Sequence, residues 1–284
     1  MADIRSDAAR AVPPPAARRF ECHVVRDRIV ELQQREVIDE QAMRIQVNGD
    51  PVATLMRTPG HEADLASGFL LTEGLIQSPC QIASISYCPD GSFGAAGLVR
   101  VRLTEELGDQ VQRRYRNVFS SCSLCGTDLI EAFAEGLPVC RKPPGRLDRR
   151  NIFQLRDAME QGQIAFRQTG GAHAAALAEL PFDAAGGRII VREDLGRHNA
   201  LDKAVGAAMA IGISWERSLL MLSGRLSVEM IAKAARAGIT DLAGVSAPSA
   251  LGVDLARRLG MFVAGFVRDD AMTVYSGMAA LRQT

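Results

Sequence analysis

From Gly187 onward the chain alternates apolar runs of strand length with amphipathic stretches, and this alternation constrains the fold more than any other feature. The runs read "GRIIVRED", "SLLMLSG", "DLAGVS", "MFVAGFVRDD" and "MTVYSG", and helical patterns open at Asn199, Ser227 and Ser249 between them. Such alternation implies a sheet with parallel strands covered by helices. The helices carry matching apolar stripes, Leu201, Val205, Ala208 and Met209 on one and Val228, Ile231, Ala232 and Ala235 on another, which we assign to the core.

The earlier part of the chain reads differently. From Cys22 to Arg57 the pattern is strand-like, and Asn48-Gly49-Asp50-Pro51 between two alternating runs suggests a hairpin turn. "HEADLASGFLLTEGLI" then places Leu65, Phe69 and Ile76 near helical spacing, as a buried face. Two short strands, "QIASISY" and "AGLVRVRL", precede a helix that carries two cysteines. "RKPPGRLDRR" breaks the pattern with two prolines and a glycine, and "NIFQLRDAMEQGQ" resumes a helix. The expected organisation is a disordered leader over 1–19, a β-rich part with the cysteine helix over 20–140, and an α/β part over 141–284 that forms one compact unit with it.

A chain of 284 residues with 47% apolar side chains can bury a sizeable core without metals or disulfides. Its 33 basic and 33 acidic residues cancel, so no overall field draws in nucleic acid or an anionic membrane, and any anion must be held by local groups. Apolar runs such as "MFVAGFV" fall well short of the roughly 18 residues that span a bilayer. The N-terminus has early acids, a triple proline at Pro13 to Pro15 and no apolar core of a secretory signal. The six cysteines, Cys22, Cys80, Cys88, Cys122, Cys125 and Cys140, show no framework spacing. Free thiols in a reducing cytoplasm fit that pattern.

In open α/β sheets, ligands bind beyond the carboxyl ends of the strands. Here those ends carry polar loops: Glu193 to Asn199, Ser223 to Ser227, Ser246 to Ser249 and Arg268 to Asp270. Arg197, Arg225 and Arg268, with small residues and several helix N-termini, suit phosphates or a nucleotide. Any one of these arginines would equally pair with Glu193, Asp194, Asp269 or Asp270 as a surface ion pair. His198 titrates near neutrality and could orient a substrate, or belong only to a helix start with Asn199 as N-cap. "TGGAHAA" gives Gly170, Gly171 and His173 a flexible approach at the opening of another expected helix.

"SSCSLCGTDLIEAF" sets Cys122 and Cys125 three apart, and Leu129, Ile130, Phe133 and Leu137 recur at helical spacing behind them. The cysteines thus fall just before or within a first helical turn, where the helix dipole favours thiolate. A structural zinc site needs four ligands, and only Cys140 and His173 stand as loose companions. A zinc deaminase needs an upstream His-x-Glu triplet, whereas the chain offers only His61-Glu62. A thioredoxin-like motif would follow a strand and carry an aromatic or proline. The spacing alone leaves redox, zinc and carrier roles open.

Seven blocks together carry a resemblance: "GFLLTEGLI", "SSCSLCG", "TGGAHAA", "EDLGRHNALDKAVG", "SGRLSVEMIAKAARAGI", "SAPSALGVDLARRLG" and "GFVRDDAMTVYSG". In that order they resemble the FdhD-like sulfurtransferases, sulfur carriers needed for active formate dehydrogenase, from about Ser67 to the C-terminus. The resemblance implies an α/β fold with a cytidine-deaminase-like mixed sheet flanked by helices, without the deaminase zinc, in a homodimer. It implies that a cysteine desulfurase passes sulfur to the pair, with Cys122 as persulfide carrier and Cys125 as relay or resolving thiol. It further implies transfer to a molybdenum or tungsten bis-pterin guanine dinucleotide cofactor, then delivered to formate dehydrogenase. The cofactor-contacting segment falls on Phe266, Val267, Arg268, Asp269, Asp270 and Ala271, and no metal of the protein's own is implied. Ser123 stands where the family commonly has glycine and Thr127 where it has lysine, and "RDDA" is more acidic than the family version.

Overall fold

The computed structural model of the chain describes residues 16–89, 97–105, 134, 136–182 and 187–282. Strands β1 (Ala17–Arg26) and β2 (Ile29–Ile38) pair as a hairpin. Its turn is made possible by the left-handed backbone of Asp27 (φ 52°), a conformation that Asp tolerates better than most residues. The first strand therefore begins inside the stretch expected as a leader, and Ala17 to Arg19 belong to the hairpin.

A four-stranded sheet follows, ordered β4-β3-β6-β5, from β3 (Gln41–Val47), β4 (Asp50–Arg57), β5 (Ile82–Cys88) and β6 (Gly97–Leu103). The expected turn is present: Asn48 (φ 52°) and Gly49 (φ 97°) both have positive φ, the signature that lets a two-residue turn match strand twist. The Asn48 side chain also accepts from the amide of Leu103 at 2.8 Å, which ties the turn to β6.

The second half builds a six-stranded mixed sheet, ordered β12-β11-β10-β9-β7-β8. Its strands are β7 (His173–Glu179), β8 (Ile189–Asp194), β9 (Ser218–Leu222), β10 (Asp241–Gly244), β11 (Phe262–Arg268) and β12 (Ala271–Ser276). Strands β8 to β11 all run one way, while β7 and β12 run against them. One edge thus collects the carboxyl ends of four strands and the amino ends of two.

Six α-helices lie among the described residues: α1 (Glu62–Thr72), α2 (Arg149–Gly162), α3 (Ile164–Thr169), α4 (Arg197–Ala210), α5 (Val228–Arg236) and α6 (Ala250–Leu259). Helix α1 leaves the small sheet and lies on α4, which in turn covers β7 and β8. Helix α4 is buried from Asn199 to Ala208, which explains its alanine-rich, nearly two-sided apolar sequence. A single apolar cluster runs from Met43 and Ile45 on β3 through Leu65 and Phe69 to Leu201, Leu220, Ile231 and Val263. On the opposite face α2 buries Ile152, Leu155 and Met159 against Ala176, Met221 and Phe262.

Two local expectations are corrected. "TGGAHAA" does not open a helix: α3 ends at Thr169, Gly170 takes the left-handed cap (φ 70°), and His173 begins β7. The alanines that favour a helix intrinsically are buried on both faces of a central strand, and packing overrides propensity. Asn199 is not an N-cap either, because α4 begins at Arg197 with Gly196 in that position.

Candidate functional site

The edge that gathers the strand ends brings together the loops expected there. Ser223, after β9, accepts from the Ala174 amide at 2.8 Å and donates its own amide to the Ala174 carbonyl at 3.0 Å, so the start of β7 is held beside the end of β9. Gly224 follows, and a Cβ there would lie 3.3 Å from the Arg197 Cβ and 3.4 Å from His173 Nδ1. The glycine lets the loop close on both residues.

Arg197 and His198 form the first turn of α4 and face the start of α5. His198 Nε2 lies 2.9 Å from Glu229 Oε2, and Arg197 Nη2 lies 4.0 Å from the same oxygen. The Glu229 carboxyl is held below the usual carboxylate range by its hydrogen bond with His198 and by Arg197, against the cost of partial burial. Burial pushes the His173 imidazole down, and Arg197, Arg225 and His198 push it the same way. His173 is therefore neutral near pH 7, with Arg197, Arg225 and His198 around it, and His198 and Arg197 also face the Glu229 carboxylate.

Part of this cluster is unsatisfied. Arg197 Nε and Ser227 Oγ are both shielded from solvent without a hydrogen-bond partner among the described residues. Ser227 is the N-cap of α5 but makes no side-chain cap bond, whereas Ser249 caps α6 through the Gly252 amide at 3.1 Å. Arg225 is exposed and has no ion pair among the described residues. Orphaned buried donors are rare in folded proteins and mark places where a ligand, ion or water completes the bonding.

Among the described residues none of Arg197, Arg225 and Arg268 pairs with Glu193, Asp194, Asp269 or Asp270, and Arg197 instead lies near Glu229. Asp194 is wholly buried and spent on Lys203 (2.7 Å), Asn199 Nδ2 (3.0 Å) and the Thr58 amide (3.1 Å). Glu193 accepts from the amides of Ala165 and Phe166 at the start of α3. Asp269 faces Arg156 at 3.8 Å rather than Arg268. Likewise Glu62, beside His61, is a structural acid: it accepts from the Gly60 amide at 2.8 Å and pairs with buried Arg57 at 3.0 Å.

The Phe266 to Ala271 segment lies on the same edge, two strands from the Arg197 cluster. Phe266 is exposed and adopts a left-handed backbone (φ 52°) at an irregularity in the β11–β12 pairing. Its amide donates to the Ser246 carbonyl at 3.2 Å, and a strained aromatic of this kind is the sort of residue found at ligand sites. Arg268 pairs across the turn with Ala271, while Val267 is wholly buried. Cys122 and Cys125 lie outside the described residues.

Sequence reasoning missed Glu229, whose only signal is its place in the first turn after Ser227. It also missed the buried ion network beneath the site, where Lys233 Nζ contacts Asp202 at 2.9 Å and Glu73 at 2.7 Å. No cluster of three or more His, Cys, Asp or Glu able to hold a metal occurs among the described residues. Chemically the edge offers guanidinium, imidazole and hydroxyl donors of the kind from which an oxyanion accepts hydrogen bonds.

Comparison with known proteins points one way. The model of the FdhD/NarQ family matches residues 38–282. Proteins named sulfur carrier protein FdhD from Streptomyces coelicolor and Streptomyces avermitilis are each 40% identical over 262 residues, covering 89% of this chain and 91% of theirs. The protein of that name from Anaeromyxobacter dehalogenans is 38% identical over 251 residues, covering 84% of this chain and 85% of its own. A crystal structure of a candidate formate dehydrogenase accessory protein from Desulfotalea psychrophila has a TM-score of 0.74 at 23% identity, covering 94% of this chain and all of that one, and shares the fold.

Proposed function

The chain belongs to the FdhD/NarQ family, and from that premise we propose that it is a sulfur carrier and sulfurtransferase for formate dehydrogenase. In this reading it works in the cytoplasm, accepts sulfur from a cysteine desulfurase and passes it to a molybdenum or tungsten bis-pterin guanine dinucleotide cofactor. A homodimer on a cytidine-deaminase-like fold completes the proposal. The observation that carries it is the 40% identity to named sulfur carrier proteins over most of both chains, together with the Cys122–Cys125 pair.

The chemistry is exchange at sulfur. The Cys122 thiolate attacks the terminal sulfur of the desulfurase persulfide, one S–S bond forms as another breaks, and the desulfurase cysteine leaves as thiolate. No oxidant is required, because the sulfur moves at constant oxidation state. Cys125 then assists release by attacking the inner sulfur of the Cys122 persulfide: the outer sulfur leaves as sulfide, its two-electron reduction matched by oxidation of the pair to a disulfide, which a dithiol reductant reopens before the next transfer.

The strand-end cluster supports the cofactor half of the reading. Arg197, His198 and Arg225 converge where a dinucleotide phosphate can be met by charge-assisted hydrogen bonds, and the orphaned Arg197 Nε and Ser227 Oγ supply donors with nothing else to bond. The cofactor is cargo here, and the protein's task is to hold its phosphates. Ser123, where the family commonly has glycine, and Thr127, where it has lysine, favour a second reading as a cofactor-protecting chaperone without sulfur transfer.

Expression of the client dehydrogenase with the parent chain or with Cys122→Ala separates the two. Sulfur transfer predicts inactive, cofactor-containing dehydrogenase with the variant. A chaperone predicts active enzyme with both.

A further inference from the structure

Glu229 stands in an unusual position for a surface acid. It projects from the first turn of α5 toward His198 and Arg197, and its side chain is 52% exposed. One oxygen contacts His198 at 2.9 Å, while Arg197 approaches that oxygen only to 4.0 Å. The contact with Arg197 is too long for a hydrogen bond, and Arg197 Nε and the nearby Ser227 Oγ are left unbonded. A planar carboxylate on a short tether thus satisfies part of a donor set that a larger oxyanion could satisfy more fully.

We propose that Glu229 is a built-in stand-in for the ligand phosphate, which occupies the anion position between His198 and Arg197 in the free protein and must be displaced for a phosphate to bind. This rests on the reading of the edge as a phosphate pocket. Displacement is open to Glu229 because its side chain is half in solvent and held by one hydrogen bond. The arrangement keeps the cluster's charge partly neutralised when empty and sets a threshold on what binds. A polyanion with several oxygens competes well, whereas a monoanion with a single weak contact does not.

The test is calorimetric titration of the full chain with guanosine diphosphate and with inorganic pyrophosphate, comparing the parent, Glu229→Gln, Glu229→Ala and Arg225→Ala. The stand-in predicts that both Glu229 variants bind each probe roughly two- to fivefold tighter, the range expected when a half-exposed ion pair stops competing. Arg225→Ala binds more weakly, and the affinity for uncharged guanosine does not change with Glu229. If Arg225→Ala weakens binding but the Glu229 variants bind equally or less well, the pocket stands and the stand-in is overturned. If the parent binds neither probe, or Arg225→Ala leaves both affinities unchanged, the pocket itself is wrong and this inference falls with it.

Discussion

Replacing Gly206 or Gly68 by alanine sets two well-known effects against each other, and the structure decides the sign. Both glycines lie inside helices, where alanine is favoured by about 1 kcal/mol. Yet a Cβ on Gly206 would lie 1.9 Å from the Asp64 carbonyl oxygen and 2.5 Å from Ser67 Oγ, and one on Gly68 would lie 1.8 Å from the Asp202 carbonyl oxygen. An ordinary carbon–oxygen contact is about 3.3–3.6 Å, so α1 and α4 must part by on the order of 1.5 Å. The blocking atoms are mostly backbone, and no rotamer change relieves them.

A gap of that size removes a large share of the dispersion contacts between the two helices. Overpacking usually costs about 1–3 kcal/mol, and a clash with backbone belongs at the top of that range or beyond. The net effect after the propensity gain is a loss of about 2 kcal/mol or more in each variant, or a fall in Tm of at least about 3–4 °C for a chain of this size. Urea denaturation followed by circular dichroism measures it. The double variant should cost less than the sum, because the helices part only once. An unchanged or raised midpoint in either single variant would show that the helices do not meet through these glycines.

Other outcomes follow from the buried charges. Burial alone would push the Lys233 ammonium down, but Asp202 and Glu73 more than offset it and keep it charged, so Lys233→Ala strands the Asp202 carboxylate. The expected cost is about 3–5 kcal/mol in urea denaturation, mostly recovered in Asp202→Asn/Lys233→Met; a cost under about 1 kcal/mol would contradict the buried pair. The Asp148 carboxyl, N-cap of α2, is lowered to about 2 by its side-chain and backbone bonds with Arg150. Because its folded pKa is depressed, its contribution is present above the ordinary carboxylate pKa and is lost as pH falls through about 2. Asp148→Ala should therefore cost about 1 kcal/mol near pH 7 and progressively less in acid, and a penalty independent of pH would refute the assignment.

Much of the fold was legible because its signals are local. The Asn48-Gly49 turn needs positive φ at both positions, and those residue types announce it. The strand–helix alternation placed Arg197, Arg225 and Arg268 on one edge, since parallel strands point their carboxyl ends the same way. The position of β7 was not legible: its run of alanines carries helix propensity, and only the burial of Ala174 to Ala178 between β8 and β9 makes it a strand. Glu229 was missed for a related reason, because an acid in a first helical turn looks like an ordinary dipole partner until His198 and Arg197 are seen opposite it. Lys233 reads from sequence as a solvated helix-end lysine, and only the packing of α1 against α4 and α5 encloses it with Asp202.

Whether sulfur resides on the cysteine pair decides the central claim. The full chain, incubated with a cysteine desulfurase and cysteine and then weighed intact without reductant, should gain about one sulfur atom, roughly 32 Da, as expected for a thiolate acceptor. The adduct should disappear when Cys122 and Cys125 are both replaced by alanine. No gain in the parent, or a gain that persists in the double variant through Cys22, Cys80, Cys88 or Cys140, would contradict the account.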